Sequence, residues 1–74
     1  VQARVRAQAW RLAGNDARSA GRADAARERY RKALELVTDD VATLLAGAAL
    51  ELRDGKLDVA ATDIERALTR APDD

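Results

Sequence analysis

The 74-residue sequence predicts an all-α fold, two stacked helix-turn-helix hairpins, and three observations carry that prediction. First, the stretch 21–40, GRADAARERYRKALELVTDD, recurs thirty-four positions later as 55–74, GKLDVAATDIERALTRAPDD. Gly21, Asp24, Ala26, Ala33, Leu34, Asp39 and Asp40 reappear as Gly55, Asp58, Ala60, Ala67, Leu68, Asp73 and Asp74. Identical spacing within one chain marks two copies of one structural unit. Second, the composition is 47% hydrophobic and 35% charged, that of a foldable chain, and it is dominated by the helix formers alanine, arginine, leucine and glutamate. Third, apolar residues recur at intervals of three and four. Only Trp10 and Tyr30 are aromatic, so the helices must approach closely through alanine.

The first helix is expected over 1–19. Val5, Trp10, Ala13, Ala17 and Ala20 approximate an apolar stripe, with Arg4, Arg6, Arg11 and Arg18 solvated. Gly21 suits the left-handed residue that closes a helix. The second helix, 22–37, carries Ala23, Ala26, Tyr30, Ala33, Leu34 and Val37 on one face. Asp24 in its first turn complements the helix dipole, and Glu28 is placed to pair with Lys32 four residues on. Thr38-Asp39-Asp40 then ends the helix and offers oxygens to cap the next.

The third helix, 41–53, is apolar around most of its circumference: Val41, Leu44, Leu45, Ala46, Ala48, Ala49, Leu50 and Leu52. That pattern predicts burial on several sides. Gly47 in its middle costs about 1 kcal/mol relative to alanine, which predicts a close backbone approach there. The fourth helix, 56–70, follows the turn Asp54-Gly55 and repeats the second with Leu57, Ala60, Ile64, Ala67, Leu68 and Ala71. Pro72 cannot continue it.

At this size the chain is a single domain, near the limit of what one core can stabilise. It has no cysteine and no histidine, which excludes disulfides and thiolate or imidazole metal ligation. No apolar run approaches the length of a membrane span, and no membrane contact is expected. No signal-peptide pattern heads the chain, and a start at Val1 fits a processed or excised segment. Arginine far outnumbers lysine, a bias that fits a GC-rich bacterial coding sequence. Net charge is zero, yet residues 1–36 hold nine basic against four acidic side chains, +5, and residues 37–74 hold four against nine, −5. Such a dipolar chain suits head-to-tail stacking or steering of a charged ligand, beside the simpler interpretation of an ordinary solvated surface.

The period and the placement of small and large residues resemble the tetratricopeptide repeat. Repeat one spans 7–40 and repeat two 41–74, leaving 1–6 as an N-terminal helix extension. Trp10, Gly14, Ala26, Tyr30 and Ala33 stand where that family places its large, small, small, aromatic and small residues; Leu44, Ala48, Ala60, Ile64, Ala67 and Pro72 take those places in the second unit. The chain departs from the pattern at Ala13 and Gly47, where leucine is usual, at Ala17 and Glu51, where tyrosine is usual, and at Thr38, where proline is usual. Those departures predict thinner packing within each first helix.

The resemblance implies a concave groove lined by the first helix of each unit, holding a peptide. Carried over by position, its residues are Gln8, Arg11, Leu12, Asn15 and Arg18, then Ala42, Leu45, Ala46, Ala49 and Leu52. The expected partner is a protein or peptide with an acidic group, which arginine binds through charge-assisted bonds, beside aliphatic side chains on the Leu45–Ala49–Leu52 strip. One subgroup of the family clamps a C-terminal carboxylate. Arg11 and Asn15 resemble its first two members, but Ala46 replaces the next asparagine and the remaining members belong to a third unit. Two polar residues four apart on a helix are common, so plain solvated side chains are the simpler account of Arg11 and Asn15.

Other chemistries find little support. Arg27, Arg29, Arg31 and Lys32 cluster around Tyr30, but Glu28 and Glu35 dilute them and the domain lacks the basic excess of phosphate binders, so no nucleic-acid partner is expected. Ser19 is the only serine and stands without a base, and Asp58, Asp63 and Glu65 sit at ordinary surface positions. Neither a phosphate loop nor metal-ligand spacing is present. The expectation is a binding scaffold that is not an enzyme and needs no cofactor. The alternative is a self-associating repeat segment, as a homo-oligomer or with further repeats, because Ala61, Ile64, Leu68 and Ala71 have no following helix to cover them.

Overall fold

A computed structural model describes residues 2–70 as four helices, α1 (Gln2–Ser19), α2 (Ala23–Leu36), α3 (Val41–Arg53) and α4 (Leu57–Arg70). The fold is all-α, with no strand among the described residues. α1 packs on α2 and α3 on α4, forming two hairpins, and α3 also lies against α2 and α1. Ala71, Pro72 and the closing pair Asp73-Asp74 lie outside the described residues.

The two hairpin turns are the same turn. Gly21 and Gly55 adopt φ of 79° and 78°, the left-handed conformation that costs other residues strain. Gly21 N donates to Arg18 O and Arg22 N to Ala17 O; thirty-four residues later Gly55 N donates to Leu52 O and Lys56 N to Glu51 O. This paired pattern closes the orphan carbonyls at a helix end. The link between hairpins is different: Asp39 takes φ of 58° and Asp40 caps α3, its Oδ2 accepting from Thr43 N at 3.1 Å and Thr43 Oγ1 at 2.7 Å.

Small residues bring the helices together. Ala26, Ala33, Ala60 and Ala67 are at most 1% exposed, and each pair is related by the thirty-four-residue period. Leu44, Leu50 and Tyr30 supply the larger buried surfaces. Gly14 has a steric reason: a Cβ there would sit 2.5 Å from Tyr30 Cε1.

Several sequence expectations need correction. Gly47 makes no close approach, since a Cβ would meet no heavy atom of the described residues within 4 Å. The opening is explained by its neighbours, for Gly47 and Glu51 line a cavity instead of filling it. The stripe of α1 is rotated: Ala7, Gly14 and Ala17 are buried, whereas Val5 and Ala20 are exposed. α3 is not buried all round, because Ala42, Leu45, Ala49 and Leu52 face solvent while Thr43, Leu44, Ala48 and Leu50 are enclosed. In α4, Leu57 is exposed although it belongs to the apolar set, and Leu68 is exposed as its lack of a covering helix leads one to expect. Glu28 pairs with Arg31 rather than Lys32, and the Lys32 ammonium lies 5.2 Å from the Trp10 ring centroid, where the ring face attracts it.

Candidate functional site

The face formed by α1 and α3 leaves apolar side chains in solvent on two helices that pack together. On α3, Ala42, Leu45, Ala49 and Leu52 follow a three-four-three spacing, which aligns them on one side of the helix, and all four are exposed. Leu45 and Leu52 keep about half their surface, 47% and 49%, and Leu12 on α1 keeps 49%. Gln8 is exposed, while Arg11, Asn15, Arg18 and Ala46 are partly buried. At one end of the face a hollow of about 270 Å³ is lined by Arg4, Gln8, Arg11, Asp40 and Ala42. It brings two of the expected basic and polar residues on α1 together with the start of α3.

Two of the expected groove residues are engaged within the chain. Asn15 Oδ1 accepts a 2.7 Å bond from the Tyr30 hydroxyl, and Arg18 Nη1 donates to the Ala46 carbonyl at 3.1 Å. Arg18 thereby ties α1 to α3, and its own carbonyl accepts from Arg53 Nη1. Burial pushes the Tyr30 hydroxyl above the usual phenol range, with the charges of Arg18 and Arg11 opposing. Asn15 and Arg18 are therefore held from behind, with side chains that position the face as much as they line it.

The cations of α2 are also committed. Arg27 bonds Asp24 at 2.7 Å and Asp54 at 2.6 Å. Arg31 pairs with Glu28 and Glu35, and Arg29 donates to the Ala13 carbonyl at 3.0 Å. The carboxylate partners account for the raised pKa of Arg27 and Arg31, and the bond from Arg31 lowers Glu28.

One grouping was missed by sequence reasoning. A cavity of about 160 Å³ lies between α2, α3 and α4, and both Glu51 and Asp63 line it. Asp63 is no ordinary surface residue, since its side chain is only 17% exposed. Glu51 is pushed up to about 7, first by burial, then by its approach to the Asp63 carboxyl and that group's charge, against the pull of Lys56 and Arg27. The available signal was a pair of positions four apart on α3, Gly47 and Glu51, where the repeat pattern calls for large side chains.

No protein-family model matches this chain, and neither a curated protein nor a solved structure matches it.

Proposed function

We propose that this chain is a tetratricopeptide-like binding scaffold whose α1–α3 face receives an extended or helical segment of a partner protein. The observation that carries the reading is the row Ala42, Leu45, Ala49 and Leu52, left in solvent beside Leu12 and bordered by the hollow that Arg4, Gln8 and Arg11 line. Aligned apolar side chains rimmed by polar groups are the usual makings of a protein contact. Arg4 and Arg11 favour an acidic group at that end, and the leucines favour aliphatic side chains beside it. The reading assigns the chain no catalysis and no cofactor.

The test is a panel of fluorescent peptides that combine leucine with glutamate or a free C-terminus, titrated against the chain and its variants. Arg11→Glu and the double change Leu45→Ser/Leu52→Ser should each weaken the best peptide severalfold or more. Equal affinity in all variants removes this face as the site, and no binding by any peptide removes the reading.

A second reading, self-association, draws on a separate observation: Leu57 and Leu68 of α4 are 63% and 70% exposed. Together with the opposite charge of the two halves, they favour contact between copies. Analytical ultracentrifugation across concentration and salt distinguishes it, because a single monomer mass throughout contradicts it.

A further inference from the structure

We propose that Glu51 and Asp63 form a proton-sharing latch where α3 and α4 meet α2, closed while one proton bridges the two carboxyls and strained when that proton leaves. The geometry requires a donor that the ionised pair lacks. Glu51 Oε1 is enclosed and, among the described residues, has no hydrogen-bond partner. The group it approaches is the Asp63 carboxyl, which when ionised is also only an acceptor. Two like charges lining one cavity oppose one another, and one shared proton converts that repulsion into a hydrogen bond.

The neighbouring groups relieve the pair only in part: Lys56 and Arg27 oppose the rise at Glu51 through their charge, and Arg66 lies beside Asp63. From α2, Arg27 and Arg31 line the cavity, but Arg27 is bonded to Asp24 and Asp54 and Arg31 to Glu28 and Glu35. Tyr30 gives its hydroxyl proton to Asn15, and Thr43 gives its own to Asp40. On α4, Arg66 reaches Asp63 at only 3.5 Å and is bonded to Asp39 as well. Lys56 acts on Glu51 through its charge alone. No described residue of α1 lines the cavity. Gly47 and Glu51 line the same cavity, and the space at Gly47 is open.

The sign of the pH response follows from linkage. The Glu51 carboxyl holds its proton more tightly in the fold, at about 7 against a reference of 4.5. Its contribution to stability is complete below the unfolded value and is lost as pH rises through about 7. Glu28, held below the usual carboxylate range, titrates at lower pH and stays outside this window. The latch does not depend on the α1–α3 face being a binding site.

Two measurements on the full chain test it: thermal unfolding at successive pH values, and the carbon-13 titration of the Glu51 carboxyl by NMR. The midpoint of unfolding should fall as pH is raised from about 5 to about 8, the folding equilibrium changing by at most about tenfold per pH unit, the limit for one proton. Glu51→Gln should remove that fall, and Asp63→Asn should move the Glu51 titration towards the ordinary value of about 4.3. A Glu51 titration below about 5 in the unaltered chain, or a fall that persists in Glu51→Gln, overturns the proposal. The NMR titration needs no variant and can overturn the proposal even where a substitution prevents folding, and the Asp63→Asn shift separates proton sharing from burial alone.

Discussion

The Tyr30 hydroxyl of α2 donates to Asn15 Oδ1 of α1 across 2.7 Å, so a buried aromatic on one helix fixes a polar residue on the outer face of its partner. Tyr30→Phe keeps the ring packing and removes only that bond. A loss of about 0.5–1.5 kcal/mol in denaturant unfolding is expected, at the lower end because half-buried Asn15 can turn to water. Unchanged stability would mean the bond contributes nothing net.

The two mid-helix glycines should respond oppositely to alanine. At Gly14 the new methyl would meet the Tyr30 ring at 2.5 Å, and the ring is buried and hydrogen-bonded. The strain of overpacking, about 1–3 kcal/mol, outweighs the helix-propensity gain of about 1 kcal/mol, so Gly14→Ala should lower the melting temperature. At Gly47 the space is open, and the same gain should raise the melting temperature by about 4–8 °C. Two shifts of the same sign would show that one of these local environments is wrong.

Asp40→Ala should destabilise the junction between hairpins. Asp40 caps α3 through Thr43 N and also accepts from the Thr43 hydroxyl, and Thr43 is fully enclosed. Loss of such a cap costs about 0.5–2 kcal/mol, and the stranded hydroxyl places this case in the upper half. Asp40→Asn, which retains an acceptor, should recover most of the loss in the same unfolding assay.

Leu68→Ser tests whether the outer side of α4 matters to the single chain. With 70% of its surface already in water, the side chain should change monomer stability by no more than about 0.5 kcal/mol. A larger drop that grows with protein concentration would indicate that another copy covers it, because stability linked to association depends on concentration.

Much of the fold was legible because its signals are local. The glycine turns at 21 and 55 and the Asp40 cap each operate within about one helical turn, so residue type and spacing suffice. On α3 the apolar pattern alone points to burial on several sides, and only the packed helices show that Ala42, Leu45, Ala49 and Leu52 stay exposed. The site's inner bonds were not legible. Nothing adjacent to Asn15 in sequence points to Tyr30, and nothing adjacent to Glu51 points to Asp63. Lys32 likewise found Trp10, twenty-two residues earlier, in place of Glu28 four residues away.

By itself the sequence determined the helix order, the thirty-four-residue repeat and the turn chemistry, since each depends on backbone preferences within a few neighbouring residues. Tertiary structure decided which side of each helix is enclosed, which cation meets which carboxylate, and that Glu51 and Asp63 share one cavity. Successive residues point about 100° apart around a helix, so a small rotation of one helix against another exchanges buried for exposed positions, and only the packed arrangement selects among those rotations.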